Sequence, residues 1–481
     1  MSETAGRSTE RDEAVGRCLP PPEAMRAALA GVGAAPEPGA GPEAGLAERF
    51  ARLVWATTVE PGDGDAGHLV ATLGAAGALA AVRSIDRPQA APRAFALAAE
   101  AAAAAADPEA GRDRVAGTAA SGCDGAGSAA LDDRRDWAAA VERWRPRIEP
   151  VRAAALAARA RECGARLLLP DAPEWPCRLD DLGDHAPLAL WVRGDVTLLA
   201  RWHRNVAVVG ARAATAYGEH TAIELASGLA DRGLVVVSGG AFGIDGAAHR
   251  ASLAADAPTV AVMAGGLDRL YPVAHRSLLE RVIAGGAVVS ELPCGQAPTR
   301  WRFLMRNRLI SALSAATVVV EAGARSGALN TAAHAAQLGR ALAAVPGPVT
   351  SAASIGCHLL IRQRGARLVT SALDVVELVV EATGGDRLVD DALMEAASDD
   401  RSAAGPGGAM RAAPAGGAGG PGRPRDAVET RVLDAMSRTA ARSVDEIVLR
   451  SGASAAEARR RLATLEIEGV VERRGGGWAR S

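Results

Sequence analysis

Between residues 205 and 346 the chain alternates short apolar runs with helix-length segments of mixed character. The runs are Val206–Val209, Leu234–Val237, Thr259–Met263, Ala287–Val289 and Thr317–Val320, with Leu342–Val345 as a sixth. They are rich in β-branched residues and lack the polar alternation of a half-exposed strand, so each predicts a strand buried on both faces. Their regular spacing predicts βα units feeding one parallel sheet. The expected fold class is therefore α/β with a Rossmann-like core, and its functional site should lie outside the carboxyl ends of the strands.

The pattern changes on both sides of this core. Residues 1–43 are rich in Pro, Gly, Ala and Glu and predict a disordered N-terminal segment. From Leu46 to about Ile85 two helical patterns flank Val59-Glu60-Pro61-Gly62-Asp63, predicting a small helical domain over 44–150 with an alanine- and glycine-heavy insertion at 86–135. Trp137–Cys163 reads as one helix leading into a core domain over 151–380. Arg166–Leu169, Trp175-Pro176 and Pro187–Gly194 read as a strand-rich entry that extends one sheet edge.

After about residue 380, Gly405–Arg425 holds Gly, Pro, Ala and Arg with almost no bulky apolar residue, which predicts a flexible linker over 381–425. In 426–481, Val428, Val432, Leu433 and Met436 share a helical face. Ser443 with Glu446 and Ser454 with Glu457 have the spacing of capping boxes. The two short helices they open are joined by Arg450-Ser451-Gly452-Ala453, and Val470–Trp478 reads as a hairpin. This is the pattern of a winged helix.

The turns after the predicted strands narrow the chemistry. They read Gly210-Ala211-Arg212, Ser238-Gly239-Gly240-Ala241-Phe242-Gly243-Ile244-Asp245, Gly265-Gly266-Leu267-Asp268-Arg269, Ser290-Glu291-Leu292-Pro293 and Arg325-Ser326-Gly327. Glycines allow close backbone approach to an anion, helix N-termini favour negative charge, and several arginines share the rim, so a phosphate-rich ligand is expected. All 54 basic residues are arginine, so there is no P-loop lysine, and no well-placed G-x-G-x-x-G follows the first strand. The net charge of −2 places any nucleic-acid contact in a local patch rather than in a global field. Six scattered cysteines without a C-x-x-C pair argue against zinc and against a disulfide framework. With no membrane-length apolar run and no signal-peptide pattern, the expectation is a soluble cytoplasmic protein without cofactor or metal.

An ordered series of segments resembles the DNA-processing protein A (DprA/Smf) family. It comprises Val208–Arg212, Val237–Asp245 with His249, Gly266–Pro272, Ser290–Pro293, Arg306–Ser314, Ser326–Ala332 and Val345-Pro346-Gly347. The resemblance implies a single-stranded DNA-binding protein that protects incoming DNA and loads the RecA recombinase during natural transformation and recombination. It further implies a homodimer, displacement of single-strand binding protein, and an N-terminal domain of the sterile-alpha-motif or helix-hairpin-helix type.

The candidate DNA-binding residues are Gly210, Arg212, Ser238, Gly239, Arg269, Arg276, Arg306, Asn307, Arg308, Ser326 and Gly327. Arg212 follows the first strand, where a guanidinium can fork onto a phosphate, and Arg276 occupies the place of a DNA-contacting lysine in relatives. Arg306-Asn307-Arg308 is read as opening a helix. The alternative for Arg306 and Arg308 is burial against carboxylates such as Glu291 or Glu321. Ser238, Gly239, Ser326 and Gly327 are candidate backbone and hydroxyl donors, and Phe303 is either a stacking surface or core. Arg459, Arg460 and Arg461 could give the winged helix an accessory DNA contact, or be a solvated face. The rival reading is a phosphoribohydrolase-like enzyme using Glu291, Glu321, Asp245 and His249; no catalytic residue is assigned, since no nucleophile elbow or metal spacing is present. A ligand-sensing transcription regulator is a third reading.

Overall fold

The computed structural model describes residues 19–34, 44–105, 132, 134–384, 425–467, 470–474 and 477–480. A nine-stranded sheet is its backbone, in the order β1-β2-β6-β5-β4-β3-β7-β8-β9. The strands are β1 Arg166–Leu168, β2 Leu190–Gly194, β3 Asn205–Val209, β4 Val235–Ser238, β5 Thr259–Met263, β6 Ala287–Ser290, β7 Ala316–Val319, β8 Ala341–Ala344 and β9 Arg367–Leu368. From β3 to β9 all pairings are parallel, whereas β2 runs antiparallel to β6 and β1 antiparallel to β2. Every residue of β3 to β7 is buried. Helices cover both faces, which is why these strands carry uninterrupted apolar runs. The chain leaves β3 toward β4 on one side and returns to β7 on the other, so β3 is the topological switch point.

The helical part before the sheet differs from the sequence reading in three places. Pro22–Ala30 is a helix with Met25 and Leu29 buried, so part of the segment expected to be disordered packs into the fold. The second pattern before Ile85 is two helices, Gly64–Leu73 and Ala75–Ser84, because Gly74 between them takes φ of 71° and turns the chain. Trp137–Cys163 is broken into Trp137–Trp144 and Pro150–Glu162: the proline ring at 150 clashes with a continuing helix and is instead suited to a first turn. Within 86–135, Ala91–Ala105 is helical; 106–131 and the linker 385–424 lie outside the described residues. Among the described residues no single helix is long and apolar enough to cross a membrane.

The C-terminal unit has helices Ala427–Asp434, Val444–Ser451 and Ala455–Ile467, then an antiparallel hairpin of β10 Val471–Arg474 and β11 Gly477–Arg480. Both expected capping boxes are present: Ser443 N–H donates to Glu446 Oε2 at 2.9 Å and Ser454 N–H to Glu457 Oε2 at 2.9 Å. The unit is seated on the core: the Trp301 N–H donates to Asp434 Oδ2 at 2.7 Å, and the Arg431 guanidinium lies 5.6 Å from the Trp301 ring centre.

One buried carboxylate ties the units together. Glu60, in the loop of the helical domain, accepts from Arg302 Nε and Nη2 at 2.9 Å each and from Arg147 Nη2 at 3.0 Å. Gly452 of the winged helix closes over the pair, since a Cβ there would lie 2.6 Å from Arg147 Nη1 and 2.9 Å from Glu60 Cγ. Burial raises the Glu60 carboxyl, but the charges of Arg302 and Arg147 outweigh it and hold it at about 2, against 4.5 ordinarily. The folded state thus gains stability that is complete above about pH 4.5 and is lost as the pH falls toward 2. Glu60→Ala should cost about 3–5 kcal/mol, because it strands two buried guanidiniums. Thermal midpoints against pH should show the gap between wild type and Glu60→Ala closing as pH falls through that window.

Candidate nucleic-acid interface

A cleft of about 820 Å³ opens beyond the carboxyl ends of β3 and β7, at the switch point. Its walls are the Gly210–Ala213 turn after β3, the helix Arg300–Ala312 with the Pro298-Thr299 approach to it, and the Gly323–Ala328 turn after β7; Ala241, Asp245 and Tyr271 complete it. Six of the residues expected from sequence line it: Gly210, Arg212, Arg306, Asn307, Ser326 and Gly327.

The turn after β3 is set by backbone contact. A Cβ on Gly210 would meet Ile244 Cγ1 at 2.5 Å and the Glu321 carbonyl at 2.9 Å, so only glycine allows the turn to pack there. Ala211 N–H donates to the Glu321 carbonyl at 2.7 Å, while the Glu321 carboxylate accepts from Thr215 N–H and Oγ1 at 2.8 Å each. This leaves Arg212 projecting from a fixed loop. It is exposed, makes no ion pair among the described residues, and sits 4.9 Å from the centre of the Phe303 ring. Phe303 is half-buried, with Tyr271 tilted against it at 5.8 Å. The cleft floor is therefore an aromatic face with a cation over it.

The helix Arg300–Ala312 begins earlier than expected, because the Thr299 hydroxyl accepts the Arg302 N–H at 3.2 Å and caps it. Arg306-Asn307-Arg308 consequently lies mid-helix, not at its opening, and faces inward. Arg306 donates through Nη1 to the carbonyls of Gly239, at 2.8 Å, and Val262. Burial depresses its guanidinium to about 10, partly countered by Asp245. Arg308 is 2% exposed at its side chain and pairs with Glu291 at 2.8 Å. Both guanidiniums are taken up by partners within the fold: Arg306 lines the cleft but is held by strand-end carbonyls, and Arg308, which does not line it, has the Glu291 partner offered as its alternative. Asn307 reaches Asn330 Oδ1 at 3.2 Å across the cleft wall.

Ser238, Gly239, Asp245 and His249 are likewise engaged by buried partners. Ser238 is fully buried and its hydroxyl donates to the Val208 carbonyl at 2.6 Å; the Gly239 N–H donates to Asp245 at 3.2 Å. Neither is available to a phosphate. Asp245 thus braces its own loop, and burial raises its carboxyl against the pull of Arg306. His249 is buried with Nδ1 2.8 Å from Thr259 Oγ1, and burial lowers it to about 3, so it stays neutral. Arg269 and Arg276 are exposed but do not line the cleft. Of the winged-helix arginines, Arg459 and Arg460 are exposed and Arg461 pairs with Asp426 at 2.5 Å; none lines the cleft.

Two further cations, not among the candidates from sequence, stand at the cleft. Arg300 and Arg325 line the cleft, are exposed, and make no ion pair among the described residues. Arg325 belongs to a turn already singled out, while Arg300 could have been found by placing the cap at Thr299. Beside Arg325, Gly327 has nothing within 4 Å of where a Cβ would stand, so its backbone is open to close approach.

Residues 166–380 match the family described as DNA recombination-mediator protein A, and residues 417–477 match the DprA winged helix domain. The chain is 47% identical over 326 residues to a DNA processing protein DprA of Mycobacterium tuberculosis, covering 66% of this chain and 77% of that one. A solved DprA from Streptococcus pneumoniae is 34% identical, covering 49% of this chain and 84% of that one, with a TM-score of 0.42. One from Helicobacter pylori, described for its single-stranded DNA binding mode, is 28% identical over 45% of this chain and 96% of that one, with a TM-score of 0.41.

The two roles assigned to arginine separate by experiment. Arg306→Leu should lower stability by about 3 kcal/mol or more, since it leaves buried carbonyls unpaired. Arg212→Ala, at an exposed position, should stay within about 0.5 kcal/mol of wild type. Chemical denaturation of both variants checks the contrast.

Proposed function

The chain belongs to the DNA recombination-mediator protein A (DprA/Smf) family of DNA-processing proteins, and we propose that its strand-end cleft binds single-stranded DNA. The observation that carries this reading is the set of exposed guanidiniums that make no ion pair among the described residues, Arg212, Arg300 and Arg325, around the Phe303–Tyr271 floor. Guanidiniums held on fixed turns fork onto phosphates, the open backbone at Gly327 allows a phosphate oxygen to come close, and an aromatic face takes an unstacked base. A duplex keeps its bases stacked inside and offers nothing to that floor. Binding is sequence-tolerant, because every base has a stacking face and phosphates carry no sequence information.

The carboxylates first considered for catalysis have other partners: Glu291 with Arg308, Glu321 with Thr215, and Asp245 with the Gly239 amide. That favours binding over hydrolysis as the work of the cleft. Loading of a RecA recombinase, displacement of single-strand binding protein, homodimerisation and a part in natural transformation are included in the proposal on the strength of family membership. Arg269 and Arg276 are proposed to extend the path of the strand beyond the cleft, and Arg459–Arg461 to offer a separate contact to DNA.

Arg212→Ala combined with Arg325→Ala should weaken single-strand binding well over tenfold, taking each as a charge-assisted contact of about 1.5–3 kcal/mol. The slope of log affinity against log salt should flatten by about 0.7 per lost phosphate contact. Fluorescence anisotropy with a labelled oligonucleotide checks both, and unchanged affinity in the folded double variant rules out this cleft.

A further inference from the structure

Two thiols that the DNA-binding reading does not use face each other at the edge of the core. Cys163 ends the helix Pro150–Glu162 and Cys294 lies in the turn after β6; they are 131 residues apart in sequence, yet their Sγ atoms stand 3.6 Å apart. We propose that Cys163 and Cys294 form a reversible disulfide, an oxidative modification site in which Cys163 is the attacking thiol and Cys294 the resolving one.

The approach is fixed by contacts on either side of the pair. One turn before Cys163, Arg159 donates to Asp268 Oδ2 at 2.6 Å, and the other oxygen of Asp268 accepts the N–H of Gly295, the residue after Cys294, at 2.8 Å. Gly295 takes φ of 85°, and the carbonyl of Gln296 accepts the Gly266 N–H at 2.8 Å, which holds the turn against its neighbour. Bond formation needs the sulfurs to close from 3.6 Å to about 2.0 Å, within reach of side-chain rotation when both backbones are already pinned. Cys163 is half-buried and reachable by a small oxidant, whereas Cys294 is 1% exposed.

The two sulfurs are also electronically unequal. Contact with the Cys294 sulfur, then the Ala165 N–H and the Arg193 charge, holds the Cys163 thiol at about 6, and its S–H reaches the Ala160 carbonyl at 3.2 Å. The same sulfur–sulfur contact, then burial, pushes the Cys294 thiol far above the usual range. Cys163, the more exposed sulfur and the one whose thiol is lowered, is therefore the sulfur that attacks once it gives up its proton, since thiolates are the nucleophiles. The oxidant is a hydroperoxide. The Cys163 thiolate attacks the terminal peroxide oxygen, the O–O bond breaks, and the departing oxygen takes a proton, leaving a sulfenic acid. The Cys294 sulfur, losing its proton, then attacks the Cys163 sulfur and the S–O bond breaks with release of water. Two electrons pass from the two thiols to the peroxide, and an external dithiol returns them by exchange.

The turn that holds Cys294 continues directly into Pro298, Thr299 and Arg300, which line the cleft and start its principal helix. Oxidation would fasten that wall to the helix Pro150–Glu162 and raise the thermal midpoint.

The test treats the purified full-length protein with hydrogen peroxide, alkylates remaining thiols under denaturing conditions, and maps non-reduced peptides by mass spectrometry. The expected result is a Cys163–Cys294 linked peptide pair that dithiothreitol reverses, with a formation rate that rises through about pH 6. Cys294→Ser should instead carry Cys163 on to the sulfinic acid, and circular dichroism should show that variant folded. Recovery of both cysteines as alkylated free thiols while Cys177 is oxidised would overturn the proposal, as would linkage of Cys163 to Cys18, Cys123 or Cys177 in place of Cys294.

Discussion

A guanidinium taken out of water has to be given back its hydrogen bonds, and the helix Arg300–Ala312 carries three that are buried. Arg302 is satisfied by Glu60 of the helical domain, Arg306 by the carbonyls of Gly239 and Val262 at the strand ends, and Arg308 by Glu291 after β6. Because an unpaired buried charge costs several kcal/mol, these pairings leave the helix one position on the sheet. The other residues it presents to the cleft, Arg300, Phe303, Leu304, Asn307 and Ile310, follow helical spacing and are fixed with Arg306. The buried arginines thus fix the surface that carries the exposed Arg300.

The same helix joins the parts of the chain. Its first turn meets the winged helix at Asp434 and Arg431, and Arg302 meets the helical domain at Glu60, on which Gly452 also closes. The winged helix is therefore in direct contact with the end of the helix that borders the cleft, a closer relation than a module on a flexible tether.

Much of this was legible in the sequence, and the reason is physical. Strands buried on both faces leave uninterrupted apolar runs, so β3 to β8 could be read directly, as could capping boxes, whose partners are three residues apart. The fate of each arginine could not. Arg302 and Glu60 are 242 residues apart, and Arg306 and Gly239 are 67 apart. Pairing across such distances leaves no local pattern, so the sequence leaves Arg306 and Arg308 open between DNA grip and burial against carboxylates such as Glu291, and does not single out Arg300. Ser238 misled for a similar reason: its hydroxyl is used by the neighbouring strand at Val208.

The exposed arginines over the aromatic floor are proposed to select a single strand. The most direct measurement is the affinity of the full chain for a single-stranded oligonucleotide and for the matching duplex over a series of salt concentrations. Tighter binding of the single strand is expected at every salt concentration, with an affinity that falls linearly in log–log form and a residual preference at high salt from base stacking on Phe303. Equal affinity for the two forms, or a preference for duplex, would contradict this selection.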